Sequence, residues 1–175
     1  MRHGKENVFL HPGEFRFGNS DLHLHTLLGS CVSITLWHPH LQIGGMCHFV
    51  LPKRCQRHVA DAKSPDGRYG EEAMQLFMRA ADEHHTSIHE YRAKVFGGSN
   101  MLGWASQKDN HIGAKNAATA FKLLALSGAE IAFAHVGDTC HRRLMFDVES
   151  GEVWMRHKAL IEGDSLFLKR ANGLG

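Results

Sequence analysis

The stretch from Leu22 to Leu51 limits the fold more than any other part of the chain, because its hydrophobicity repeats every second residue. Val32, Ile34 and Leu36 alternate with Ser33, Thr35 and Trp37. That is the pattern of a strand whose successive side chains face opposite sides of a sheet. Residues 22–28 form a second strand-like run, and Gly29-Ser30 interrupts it just before Cys31. Pro39 marks a turn, and Ile43 to Leu51 reads as further strand closed by Pro52. Short strands around a turn predict a hairpin with Cys31 on one arm and His48 on the other.

The remainder alternates helix and strand signals. Ala73, Met74, Leu76, Phe77, Ala80 and Ala81 fall at helical spacing and predict an amphipathic helix over 69–84. Ala117, Ala120, Phe121, Leu124 and Ala125 do the same over 113–127, with Gly128 as a natural stop. Residues 93–97, 130–136, 143–148 and 152–157 read as strands, the last two joined by a turn at Glu149-Ser150-Gly151-Glu152. Residues 53–69, with Ser64-Pro65-Asp66-Gly67, read as a surface loop. Six or seven strands and two helices predict an α/β protein, its helices packed on a mixed, largely antiparallel sheet. At 175 residues the chain suits a single domain, with its core over about 8–160 and polar tails at both ends.

Charge and cysteine usage narrow the function classes. The net charge is +2 and the basic residues fall in scattered pairs such as Lys53-Arg54 and Arg142-Arg143. This predicts neither a nucleic-acid stripe nor a membrane-binding face. No apolar run approaches the ~20 residues of a membrane helix, and Met1 to Glu6 lack a signal-peptide core. The expected location is the cytoplasm, where Cys31, Cys47, Cys55 and Cys140 would be reduced thiols. No C-x-x-C pair is present. The fifteen histidines include His84, His85 and His89 at the end of a helical stretch, without a neighbouring carboxylate or thiol to close a zinc site. No metal and no cofactor is expected.

Cys31 and His48 are the residues that suggest chemistry. A cysteine nucleophile needs a base, donors for an oxyanion and access to substrate. Glycine before Cys31 lets the backbone turn sharply, and backbone N–H groups there are candidate oxyanion donors. A hairpin would bring His48 within reach. The plainer alternatives are a small buried thiol and a satisfied core histidine. Cys47 adjoins His48, but strand neighbours face opposite sides, so it is not the expected partner.

Ordered motifs then point to a family. Leu28-Gly29-Ser30-Cys31-Val32 and Gly44-Gly45-Met46-Cys47-His48-Phe49-Val50-Leu51-Pro52 resemble the signature of the CheD family of chemoreceptor glutamine deamidases. Ala93 to Met101 resembles that family's Gly-Gly segment, and Ile112-Gly113-Ala114-Lys115-Asn116 resembles the start of its helix. Arg143 to Val153 resembles its terminal hairpin. The resemblance spans about residues 22–157 and implies a three-layer α/β/α sandwich related to the catalytic domain of cytotoxic necrotizing factor toxins.

It also implies hydrolysis of glutamine side chains in methyl-accepting chemotaxis proteins, with Cys31 as nucleophile and His48 as base. The family's third catalytic residue is a Thr on the preceding strand. Thr26 is the Thr available there, while strict alignment on Cys31 puts His25 in its place. Gly29 and Ser30 are expected at the oxyanion site, and Gly97, Gly98, Ser99 and Asn100 along a groove open to a receptor helix. Such a thiol and imidazole favour a thiolate–imidazolium pair where the site is electropositive. A glutamyl methyl ester carries the same acyl group and is a second expected substrate. In the family the groove also docks a CheC-type phosphatase. The competing reading is a weakly catalytic or non-catalytic regulator of that phosphatase. Val136 to Arg142 departs from the family pattern, with Asp138 and His141 at glycine-like positions.

Overall fold

The computed structural model describes residues 4–55, 64–102, 111–159 and 167–170. Among the described residues, ten strands form two five-stranded sheets. The first sheet holds β1 (Glu6–Phe9), β3 (Leu22–Leu28), β8 (Cys140–Asp147), β9 (Val153–Ala159) and β10 (Phe167–Arg170), in that spatial order. The second has the order β2 (Phe15–Gly18), β5 (Ile43–Cys47), β4 (Val32–His38), β6 (Arg92–Gly97) and β7 (Glu130–Val136). Only β1–β3 and β6–β7 pair in parallel among these strands. The mixed, largely antiparallel pairing expected from the sequence is present, divided between two sheets.

Helices α1 (Gly70–Glu83) and α2 (Ile112–Ser127) pack against each other and against the second sheet. Their buried residues, Ala73, Met74, Phe77 and Ala81 on α1 and Ala117, Ala120 and Leu124 on α2, share a core with Val32, Ile34, Leu36, Phe49 and Val95. The opposite face of that sheet meets the first one. Met46, Phe96 and Trp37 pack there with Leu24, Leu28, Leu144, Phe146, Val153 and Met155.

Among the described residues the layers therefore run helices, sheet, sheet, where an α/β/α order is expected from the resemblance. The reason lies in β3. Its Leu22, Leu24, Thr26 and Leu28 are buried while His23, His25 and Leu27 face outward. A strand polar on one side belongs to a sheet with one face on the core and one toward solvent. Among the described residues no helix covers that outer face.

The hairpin read from the sequence forms as β4–β5, with Leu36 opposite Gly45. Part of the expected N-terminal tail, at Glu6 and Asn7, belongs to a strand. Glu6–Phe9 pairs with β3 and Phe15–Gly18 with β5, in strands of four residues each, too short for a period-two signal. Phe167–Arg170 likewise pairs with β9. Most of the expected loop at 53–69, residues 56–63, lies outside the described residues, as do residues 160–166 and 171–175 of the expected C-terminal tail.

Candidate functional site

The site forms where the β3–β4 turn meets the end of the β4–β5 ladder. The ladder's register continues past β5 to an antiparallel bridge between Val32 and Phe49, closed by backbone bonds of 3.1 and 3.0 Å. Val32 and Phe49 point into the helix-side core. Cys31 and His48, each one residue earlier, therefore point to the other face, toward the first sheet. They occupy a diagonal of the ladder, the kind of cross-strand neighbour that larger side chains span. Cys47 points the other way, into the helix-side core. It is fully buried, and its thiol is pushed up to about 12 by that burial.

His48 is held on one side. Its Nδ1 lies 2.8 Å from Thr26 Oγ1 and 3.4 Å from the Leu10 carbonyl. The Thr26 hydroxyl donates its single proton to that same carbonyl at 2.8 Å. It must therefore accept from His48, which puts the imidazole proton on Nδ1. Nε2 is left with a lone pair and has no partner among the described residues. Backbone bonds fix the segment that carries the ring: His48 N–H donates to the Glu14 carbonyl at 3.0 Å, and Gly13 N–H donates to the His48 carbonyl at 2.7 Å.

Thr26, and not His25, meets His48. Thr26 is on the inner face of β3. His25 is on the outer face, 3.0 Å from the Asn7 side chain, where it helps line a cleft of about 420 Å³ with Arg143, Leu144, Met145, Trp154 and Arg156.

Cys31 is partly exposed, as are Gly29 and Ser30. Partial burial raises its thiol above the usual 9.0, and burial lowers His48 below 6.5. Both shifts favour uncharged partners.

Gly97, Gly98 and Ser99 lie behind the Cys31 turn and are buried. Gly98 N–H donates to the Cys31 carbonyl at 2.8 Å and Ser99 N–H to the Gly29 carbonyl at 3.0 Å. Gly97 has φ +109°, and a Cβ there would sit 2.1 Å from the Cys31 carbonyl oxygen. Asn100 is partly exposed. Its N–H donates to the Asp138 carbonyl at 2.8 Å, and its Oδ1 accepts from Leu102 N–H at 3.1 Å.

The sequence reading passed over Arg142, which is fully buried. Its guanidinium donates to Ser99 Oγ, to His135 Nδ1 at 2.8 Å and to the Gly137 carbonyl at 2.9 Å. Ser99 Oγ in turn donates to the Cys140 carbonyl at 2.6 Å. Desolvation holds the Arg142 guanidinium below its usual value, and burial with the adjacent Arg142 charge holds His135 down. The signal for this was the alternation within β8. It begins at Cys140, ahead of the expected start at 143, and turns Arg142 inward with Leu144 and Phe146. Among the described residues no group of three or more His, Cys, Asp or Glu side chains is placed to hold a metal ion. No described helix is long and apolar enough to cross a membrane.

The site thus sets a partly exposed thiol and a buried histidine on one face of a strand pair, with the histidine's Nδ1 held by a hydroxyl and a carbonyl. The family model for CheD chemotactic sensory transduction matches residues 50–157. A protein of Dechloromonas aromatica named "Probable chemoreceptor glutamine deamidase CheD 3" is 46% identical over 95% of this chain and 94% of its own. A Chromobacterium violaceum protein named "Probable chemoreceptor glutamine deamidase CheD 1" is 41% identical over 86% of this chain and 77% of its own. One of Leptospira interrogans with the same name is 35% identical over 85% and 91%. The chain belongs to the CheD family.

Proposed function

We propose that the protein hydrolyses glutamine side chains of methyl-accepting chemotaxis receptors to glutamate and ammonia, with Cys31 as nucleophile, His48 as base and Thr26 as the group that orients it. The observation that carries this reading is the Leu10–Thr26–His48 chain, which leaves Nε2 as the free nitrogen on the face shared with Cys31. The relatives' names supply the substrate class.

Burial disfavours the charged form of both Cys31 and His48, so in this reading proton transfer accompanies attack. As Cys31 Sγ bonds to the carboxamide carbon, its proton passes to His48 Nε2. The carbonyl π electrons move onto oxygen, where backbone N–H groups of the 29–31 turn stabilise the charge, with the Ser30 hydroxyl as a further donor. The imidazolium returns its proton to the departing nitrogen, ammonia leaves and a glutamyl thioester remains. His48 then removes a proton from water, hydroxide adds to the thioester, and the thiol leaves reprotonated. The imidazolium formed in each half-reaction is supported by Thr26, which still accepts from Nδ1. A glutamyl methyl ester would follow the same path with methanol as leaving group.

Gly29, Ser30 and Asn100 are the partly exposed members of the proposed groove, and Gly97, Gly98 and Ser99 support it from behind. The kinship with the necrotizing-factor catalytic domain and the CheC-type partner belong to the same reading, which places the protein in the cytoplasm with the receptor signalling helices. The test is the mass of receptor fragments after incubation with the protein. A gain of about one dalton at particular glutamines is expected with wild type, and roughly 10³-fold less with Cys31→Ala or His48→Ala. Equal spectra for wild type and Cys31→Ala would sink the reading and favour a regulator without catalysis.

A further inference from the structure

Asn116, on the helix-side layer, is fully buried. Its Nδ2 donates to the Ser30 carbonyl at 3.1 Å and to the Val50 carbonyl at 2.7 Å. Both partners are acceptors, so the amide's orientation follows from its surroundings. Its Oδ1 is buried without a partner among the described residues, an arrangement that costs free energy and that packing alone would not select. The place it occupies is specific. The Val32–Phe49 bridge ends the β4–β5 register, and the next positions outward are Cys31 and Val50. Where ladder bonds stop, one side chain clasps a carbonyl on each strand.

The consequence falls on the peptide between Ser30 and Cys31. In a trans peptide the C=O and N–H point in opposite directions. Because α2 holds the Ser30 oxygen, the Cys31 N–H is turned away from α2 and toward the face where the Cys31 side chain lies. No described residue other than Cys31 itself accepts from that N–H. The following peptide is fixed as well, since Gly98 N–H holds the Cys31 carbonyl.

We infer that Asn116 is a positioning residue that aims the Cys31 N–H at the oxyanion formed when Cys31 attacks an amide. This rests on Cys31 as the nucleophile. Asn116 touches neither substrate nor Sγ; it acts through one peptide plane.

The test uses the full chain with receptor fragment as substrate. It compares wild type, Asn116→Asp and Asn116→Ala for kcat, KM, thermal midpoint and the rate of Cys31 alkylation by iodoacetamide. Alkylation is a displacement at carbon and builds no oxyanion. In Asn116→Asp a carboxylate of the same size faces two carbonyls and cannot donate. Its kcat should fall about 10²-fold, with KM and alkylation within about threefold of wild type. Part of the loss should return as pH is lowered and the introduced carboxyl regains an O–H. A folded variant with kcat within about threefold of wild type overturns the inference. So does an equal loss in kcat and alkylation, which would make Asn116 only a brace for the turn.

Full activity in Cys31→Ala would instead condemn the nucleophile, whatever Asn116 does. Should both variants fail to fold, the unaltered ¹⁵N-labelled protein decides. A glutamine-derived aldehyde adds the Cys31 thiol across its carbonyl, sulfur to carbon and proton to oxygen. The Cys31 amide proton should then move downfield as it bonds the new oxygen. An unmoved resonance overturns the inference.

Discussion

The Thr26 hydroxyl lies 2.8 Å from His48 Nδ1 and 2.8 Å from the Leu10 carbonyl, so it passes a hydrogen bond from the ring to the backbone. Replacing it with an isosteric methyl leaves the His48 Nδ1–H with only the longer contact to the Leu10 carbonyl at 3.4 Å. Thr26→Val should lower kcat by about 10–100-fold, because the ring loses the nearer of the two acceptors that fix its tautomer and stabilise its charged form. Thr26→Ser should retain most of the activity. Ammonia release from receptor fragments measures both, and a Thr26→Val rate equal to wild type would remove Thr26 from the mechanism.

The pH dependence follows from two opposed shifts. His48 is held below 6.5 by burial, so the neutral base persists as pH falls through 6.5 and is lost only at lower pH. Cys31 is raised above 9.0, so the thiol that supplies the proton for departing ammonia persists past that value. kcat/KM should form a plateau whose acid limb lies below 6.5 and whose alkaline limb lies above 9.0. A thiolate–imidazolium pair would instead show its cysteine limb at acid pH. Stopped-time assays across pH 4–11 separate the two profiles.

Gly97 has the tightest contact to the nucleophile turn. Its φ of +109° is open to glycine alone among common residues, and an added Cβ would overlap the Cys31 carbonyl. Gly97→Ala should destabilise the fold by about 1–3 kcal/mol. It should also displace Cys31, so that any folded fraction turns over more slowly per molecule. Thermal melting and active-site alkylation, scored together, check this. An unchanged melt with unchanged activity would contradict the geometry.

Arg142 is fully buried, with bonds to Ser99, His135 and Gly137. Arg142→Met fills similar volume but removes the donor to buried Ser99 and to the partly exposed His135 and Gly137, and should cost about 1–3 kcal/mol of stability. Because Ser99 also holds the Gly29 carbonyl, activity should fall beyond what unfolding explains. Denaturant unfolding read beside specific activity tests it. Arg142→Lys, which lacks the planar fork, should fall between wild type and Arg142→Met.

Much of this protein is written in local sequence. The alternation at Val32, Ile34 and Leu36 specifies a strand, and the spacing of Ala73, Phe77 and Ala81 specifies a helix face; that the strand is buried on both faces comes from the two layers that cover it. These are period-two and period-3.6 patterns, and they act within a few residues. The same patterns put Cys31 and His48 on the two arms of a hairpin, and the register that sets them on one face comes from the fold. They did not reveal the second sheet as a separate layer, because the strands that build it pair across long stretches of chain. β1 lies beside β3, and β3 beside β8. Nor did they choose between His25 and Thr26. A one-residue difference reverses the face, and only the packing of β3 on the second sheet decides which side chain turns inward. Leu10, Asn116 and Arg142 come from a loop, a helix and a distant strand. Their hydrogen bonds exist only once the layers close, since a buried donor takes whichever acceptor the fold brings to it.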